Sequence, residues 1–128
     1  MYDVSVNPGR SGRVDREHFV DAIRLAVQDA AATETISVLS RPPGRQPDQE
    51  LVALSAWFNQ LAFQDRQNLA RVIEMTAHAA AFRILCVLDG TRPIEDGPIK
   101  GTLDLRYRRG NEDVSLTDDN GAVLHELL

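Results

Sequence analysis

The chain has 128 residues, 43% of them hydrophobic and 5% aromatic, with a formal net charge of −5. This is one ordinary domain, large enough to bury a core without disulfides or a structural metal, and the single Cys86 excludes an intramolecular disulfide. The acidic balance argues against nucleic acid as the main partner, because that binding neutralises phosphates with clustered Lys and Arg, and it favours a basic partner instead.

The opening stretch Met1 to Val14 carries Pro8, Gly9 and Gly12 and no periodicity, which predicts a flexible arm over residues 1–14. It lacks the charged-then-apolar layout of a signal peptide, and this predicts a cytoplasmic protein. Lys100 is the sole lysine among 14 basic residues, and with the many alanines it suggests a GC-rich bacterial genome. From Asp15, an N-cap, the spacing of Phe19, Ile23, Val27, Ala30 or Ala31 and Val38 predicts one helix to about Ser40. The β-branched Thr33, Thr35, Ile36 and Val38 weaken its last turns, so a break near Thr33 followed by a short strand is the competing reading.

Arg41 to Pro47, RPPGRQP, must be a loop, since each proline removes a donor and constrains its predecessor. Asp48 then caps a helix whose Leu51, Leu54, Phe58 and Leu61 form a stripe, with Trp57 beside it as a core or edge residue. The stretch Asp65 to Gly90 is the longest and most apolar in the chain and predicts the central helix, capped by Asp65 and closed by Gly90 in the left-handed conformation. Leu69, Val72, Ile73, Thr76, Ala80, Ile84 and Val87 recur at helical spacing, and the later half is so apolar that it calls for cover on several sides. His78 and Arg83 interrupt its longest apolar run, Met75 to Leu88, which also falls short of the roughly 20 residues a membrane span needs.

After Thr91 to Gly97 the period changes to two. Leu103, Leu105 and Tyr107 alternate with Asp104, Arg106 and Arg108, Arg109-Gly110-Asn111-Glu112 turns the chain, and Val114 and Leu116 return, which predicts an antiparallel hairpin within residues 100–117. Val123, Leu124, Leu127 and Leu128 suit a short closing helix. The fold class read from this order is α+β: a mostly helical single domain over 15–128, three helices followed by a C-terminal antiparallel β-hairpin and a short final helix.

Few residues point to chemistry. His18, His78 and His125 show no metal spacing, and no zinc cluster can be built on one cysteine, so neither metal nor other cofactor is expected. Cys86 sits in the most apolar turn, where burial raises a thiol's pKa and shields it, so it reads as a core residue. Arg83 must pair with a carboxylate or reach water. The acidic loops stand out: Asp89, Glu95 and Asp96 bracket one, Asp118 and Asp119 occupy another. A solvated rim of capping aspartates, a surface for a basic protein, and a calcium or carboxylate catalytic site are the three readings. Arg41, Arg45 and Trp57 form a second candidate surface, because Arg and Trp are enriched in binding hot spots.

The runs RPPGRQP, LSAWFNQL, AAFRILCVLDG, IEDG and KGTLDLRY resemble a family of small, functionally uncharacterised bacterial proteins, immunity-protein-like in size and layout, over about Asp15 to Leu128. The resemblance implies a helix, a proline-rich turn, two more helices and a final hairpin, and carries over no catalytic residue. This chain has Ala62 where a capping Ser or Thr is usual before the central helix. Small size, acidic charge and the lack of a catalytic set together lead to the expectation of a non-enzymatic protein-binding module. Its most concrete form is an immunity or antitoxin-type inhibitor of a basic toxin domain. The alternatives are a small ligand-binding protein or enzyme with a pocket near His78, Arg83 and the acidic loops, and a homodimeric structural module.

Overall fold

A computed structural model describes residues 14–128. Apart from Val14, the expected flexible arm lies outside the described residues. Helix α1 (Arg16–Ile23), a π-helical stretch (Arg24–Asp29) and α2 (Ala30–Ser40) follow one another without a break, so the single helix to Ser40 is correct and the strand after Thr33 is not. Asp15 caps it, its Oδ1 accepting the His18 N–H at 2.8 Å. The irregularity falls earlier than the β-branched run. Its physical role is phase: Val20 and Ala32, both buried, are twelve residues apart and stand a third of a turn out of register on a regular helix of 3.6 residues per turn. The wider π turn, in which Ala30 N–H reaches back five residues to Leu25 O, brings them toward one face. The same shift turns Val27 outward, contrary to the predicted stripe.

Helix α3 (Gln49–Gln60) follows the proline loop, in which Gly44 adopts a φ of 86°. Asp48 occupies the position before α3 but its side chain accepts no capping bond. Asn59 Nδ2 donates to Ser40 O at 3.1 Å and so latches α3 to the end of α2. On α3 the buried residues are Ser55 and Phe58, while Leu54 and Trp57 are about half exposed; Leu54 therefore leaves the predicted core stripe. Helix α4 (Phe63–Leu88) starts after Ala62, two residues before the predicted cap. The turn between α3 and α4 is so tight that Asp65 already lies in the first helical turn, where its charge complements the dipole instead of capping. Gly90 ends the helix at φ 81°, as expected.

Strands β1 (Arg106–Arg109) and β2 (Glu112–Ser115) pair antiparallel, with Tyr107 opposite Val114 and Arg108 opposite Asp113. They are shorter than the predicted alternation. Gly110 alone turns to positive φ, the pattern of a type II′ turn with glycine first. Below the ladder, Leu116 N–H still donates to Leu105 O at 2.7 Å, and the Thr117 hydroxyl accepts from Leu105 N–H at 3.0 Å. That hydroxyl extends the pairing where the backbones part. A two-stranded ribbon is marginal alone, and this one is anchored by Leu116, which is buried, and by Leu105, which packs on the core.

The core joins the beginning and the end of the chain. Val20 of α1, Leu85 of α4 and Leu124 are fully buried together, with Phe19, Leu88, Leu105, Leu127 and Leu128 packed around them. Leu124 belongs to a single 3₁₀ turn (Leu124–Leu127), the short closing helix expected there. Two arginines staple this closure. Arg16 donates to Ala122 O at 2.9 Å and to Asp118 O at 2.8 Å and pairs with the Asp118 carboxylate; Arg24 donates to Leu127 O at 2.9 Å. Among the described residues no helix is long and apolar enough to cross a membrane.

Candidate functional site

Helix α4 is the longest element, and its buried line is narrow. Ile73, Ala77, Ala81 and Leu85, spaced by four, lie on the side that meets the π-helical stretch, α2 and the C-terminal turn, and of these Ala81 and Leu85 are fully covered. The cover on several sides that the sequence calls for is not supplied: the other elements flank α4 on one side only. Half a turn around stand Val72, Met75, Ala79 and Phe82, spaced three, four and three, the pattern of a helix-packing seam. Val72 is 55%, Met75 71% and Phe82 38% exposed. Ile84, also on the predicted stripe, is about half exposed. Arg71 and Arg83 border this outer seam on either side, and neither takes part in an ion pair among the described residues.

The seam ends in a cleft of about 670 Å³ lined by His78, Ala79, Phe82, Arg83, Cys86, Thr91 and Arg92. Its shape follows from how α4 stops. Asp89 N–H bonds to Leu85 O, Gly90 turns left-handed, and Arg92 N–H comes back to Cys86 O at 3.0 Å, which folds the Thr91–Arg92 turn against the last helical turns. On the other wall His78 is held by Gln28 of the π-helical stretch: its Nδ1–H donates to Gln28 Oε1 at 3.0 Å, leaving Nε2 uncommitted. Cys86 lies nearly buried, and burial first, then the charge of Asp89, push its thiol pKa up against a smaller lowering by Arg92. Such a thiol is a poor nucleophile.

Behind the cleft Asp89 and His125 lock the chain's end to α4. The Asp89 side chain is 2% exposed; its Oδ1 accepts Thr91 N–H at 3.0 Å, and its Oδ2 accepts both His125 N–H at 3.1 Å and His125 Nδ1–H at 2.7 Å. Burial alone would raise the carboxyl pKa, but the donors from Thr91 and His125 outweigh it and hold it below the ordinary range. The His125 ring stands edge-on to Phe82, with centroids 5.3 Å apart, so the lock also fixes one wall of the cleft.

The predicted acidic residues separate into different environments. Asp89 is turned inward as described, and Glu95 accepts Gly101 N–H across its own loop, while Asp96 is exposed. Asp118 pairs with Arg16 and also accepts Asn120 N–H at 3.0 Å. With Asp119 it lines a second groove, of about 590 Å³, beside the hairpin, where Asp104, Asp113 and Arg106 stand as well. There Ser115 and Arg106 lower the Asp104 pKa, and Asp104 and Asp113 raise that of Arg106. Arg41 and Arg45 are exposed in the proline loop and Trp57 is half exposed on α3; none of the three lines either concavity. Arg83 pairs with no carboxylate and opens onto the cleft, so of the two readings it reaches water. Among the described residues no three His, Cys, Asp or Glu side chains gather in a way that could hold a metal.

Sequence reasoning missed Arg92 and the Asp89–His125 lock. The pair is 36 residues apart, and only the Asp-Gly helix end hinted at Asp89's position. Compared with protein-family models, with curated proteins and with solved structures, the chain matches none.

Proposed function

We propose that the protein is a binding module that recognises another protein through the outer face of α4. The observation that carries this reading is the seam of Val72, Met75, Ala79 and Phe82 on the side of the helix away from the core. A helix with apolar residues on opposite sides is normally covered on both, and contiguous exposed apolar surface marks an interaction site. The spacing suits a partner helix that interdigitates along about 15 Å of axis. Arg71 and Arg83 at the edges favour carboxylates flanking that partner's apolar stripe. A second copy of this chain is a less suitable occupant, because both edges of the seam carry arginine and would meet edges of the same charge sign.

A second reading rests on a separate observation, the groove in which Asp118 and Asp119 stand with Asp104 and Asp113. It suits a basic partner, as an immunity or antitoxin-type inhibitor of a basic toxin domain in a bacterial cytoplasm would require. One experiment separates the two. Wild type, a Val72→Glu/Met75→Glu variant and an Asp118→Lys/Asp119→Lys variant, each shown to be folded by circular dichroism, are used to capture proteins from host lysate. The α4 reading expects a stoichiometric partner that the first variant loses and the second keeps. The opposite pattern moves the site to the acidic groove, and a wild-type chain that captures nothing and scatters light as a homodimer replaces both readings with self-association.

A further inference from the structure

We propose that the cleft at the C-terminal end of α4 binds a small organic acid, a carboxylate carried on an apolar body, with Arg83 and Arg92 gripping the carboxylate over a floor of Ala79, Phe82 and Cys86. The site overlaps the protein-binding face only at that face's end, where Ala79, Phe82 and Arg83 belong to both. Its volume of about 670 Å³ falls in the range of small-molecule sites. The lining follows the usual composition of such sites, an apolar floor with a few convergent polar groups. The charges there are of one sign: two guanidinium groups, with no carboxylate lining the cleft. This is notable in a chain with 19 acidic residues against 14 basic ones. Elsewhere the acids do find arginines: Asp118 holds Arg16, Asp21 holds Arg24, and Asp104 and Asp113 hold Arg106. Arg83 and Arg92 are left without an ion pair among the described residues.

The groups are also positioned. Arg92 is fixed by its backbone bond to Cys86 O and is near enough to act on the Cys86 thiol electrostatically. Arg83 rises from α4 three residues before Cys86. His78, steadied by Gln28, keeps Nε2 free as an acceptor at the cleft's edge. Planar guanidinium forks match a carboxylate's two oxygens. The same floor, with Phe82 held edge-on by His125, accepts an aliphatic or aromatic body.

The test uses the full chain, uniformly ¹⁵N-labelled, titrated with decanoate and followed by amide shifts. The expected result is saturable shifts confined to about residues 78–92 and the C-terminal turn, with 1-decanol at least tenfold weaker and acetate without effect. An Arg83→Met/Arg92→Met variant is expected to lose at least tenfold in affinity. Should that variant not fold, Arg83→Met alone, at an exposed and unpaired position, serves, with at least a threefold loss expected. Equal binding of decanol and decanoate, full affinity in the arginine variants, or shifts that scatter without saturating would each overturn the proposal. A Met75→Glu chain, altered on the seam outside the cleft, is expected to bind decanoate as wild type does. The two readings can therefore fail separately.

Discussion

Replacing Asp89 with Asn tests how the fold is closed. The change keeps shape but converts one acceptor oxygen to a donor. Asp89 is nearly buried, and three N–H groups converge on it, from Thr91 N at 3.0 Å, His125 N at 3.1 Å and His125 Nδ1 at 2.7 Å. An asparagine that keeps its carbonyl on Thr91 turns its NH₂ toward both His125 donors; the opposite orientation forfeits Thr91 and leaves two neutral bonds where charged ones stood. Hydrogen bonds to an ionised partner are worth about 1.5–3 kcal/mol each, and an unmet buried donor costs a similar amount. A net loss of about 3 kcal/mol follows, or a melting point lower by about 10 °C for a domain of this size. The sign with pH is fixed by the depressed carboxyl pKa. Asp89's contribution is complete above the unfolded value near about 3.9 and disappears as pH falls through the lower folded value. Urea unfolding at pH 7 and at pH 3, with the slope of each transition compared to confirm two-state behaviour, should show a gap between wild type and variant that narrows in acid. A variant within about 0.5 kcal/mol of wild type at pH 7, or a gap unchanged in acid, would refute the argument that this carboxylate clamps the end of the chain.

Leu124→Ala removes a fully buried side chain from the small cluster with Val20 and Leu85 and should cost about 2–5 kcal/mol in urea denaturation, a large fraction of total stability. Gly121→Ala places a Cβ 2.9 Å from the Arg16 Nε, whose guanidinium is pinned by Asp118 and Ala122, and should cost about 1–2 kcal/mol. Made in an Arg16→Met background the same change should cost almost nothing, so a double-mutant cycle in thermal melts gives the coupling directly. Arg83→Met should leave stability within about 0.5 kcal/mol, since this arginine is exposed and holds no carboxylate; a fall of several degrees in melting temperature would reveal a buried partner.

Much of the architecture was legible because it depends on local rules. Asp15 begins a helix with its carboxylate on a first-turn amide, the prolines of residues 42–47 end helical structure, Gly90 supplies a left-handed closure, and the alternation around Tyr107 and Val114 makes a hairpin. Each of these is decided within about four residues in sequence or within one turn. The start of α4 was misplaced for a related reason: Asp65 is a good cap residue, but a tight connection from α3 fixed the boundary at Ala62, and no signal at Asp65 itself carries that constraint.

The candidate site was legible only in part. The apolar seam on α4 can be read from residue spacing, but which of its two apolar sides faces the core cannot, since both satisfy helical periodicity equally well. That choice falls to the π-helical stretch, α2 and the 3₁₀ turn, which reach α4 from one direction. Likewise His78 and Arg83 were visible as interruptions of an apolar run, whereas Arg92 enters the cleft only because its backbone bonds back to Cys86. The amino-acid sequence by itself determined the helices, the loop between them, the hairpin and the burial of Cys86, through capping, proline geometry and periodicity. The tertiary structure alone decided that Asp89 is an internal clamp rather than a surface charge and that one side of α4 is left uncovered. Those outcomes rest on contacts between residues many tens of positions apart, whose distances are set by packing and not by any neighbour in the chain.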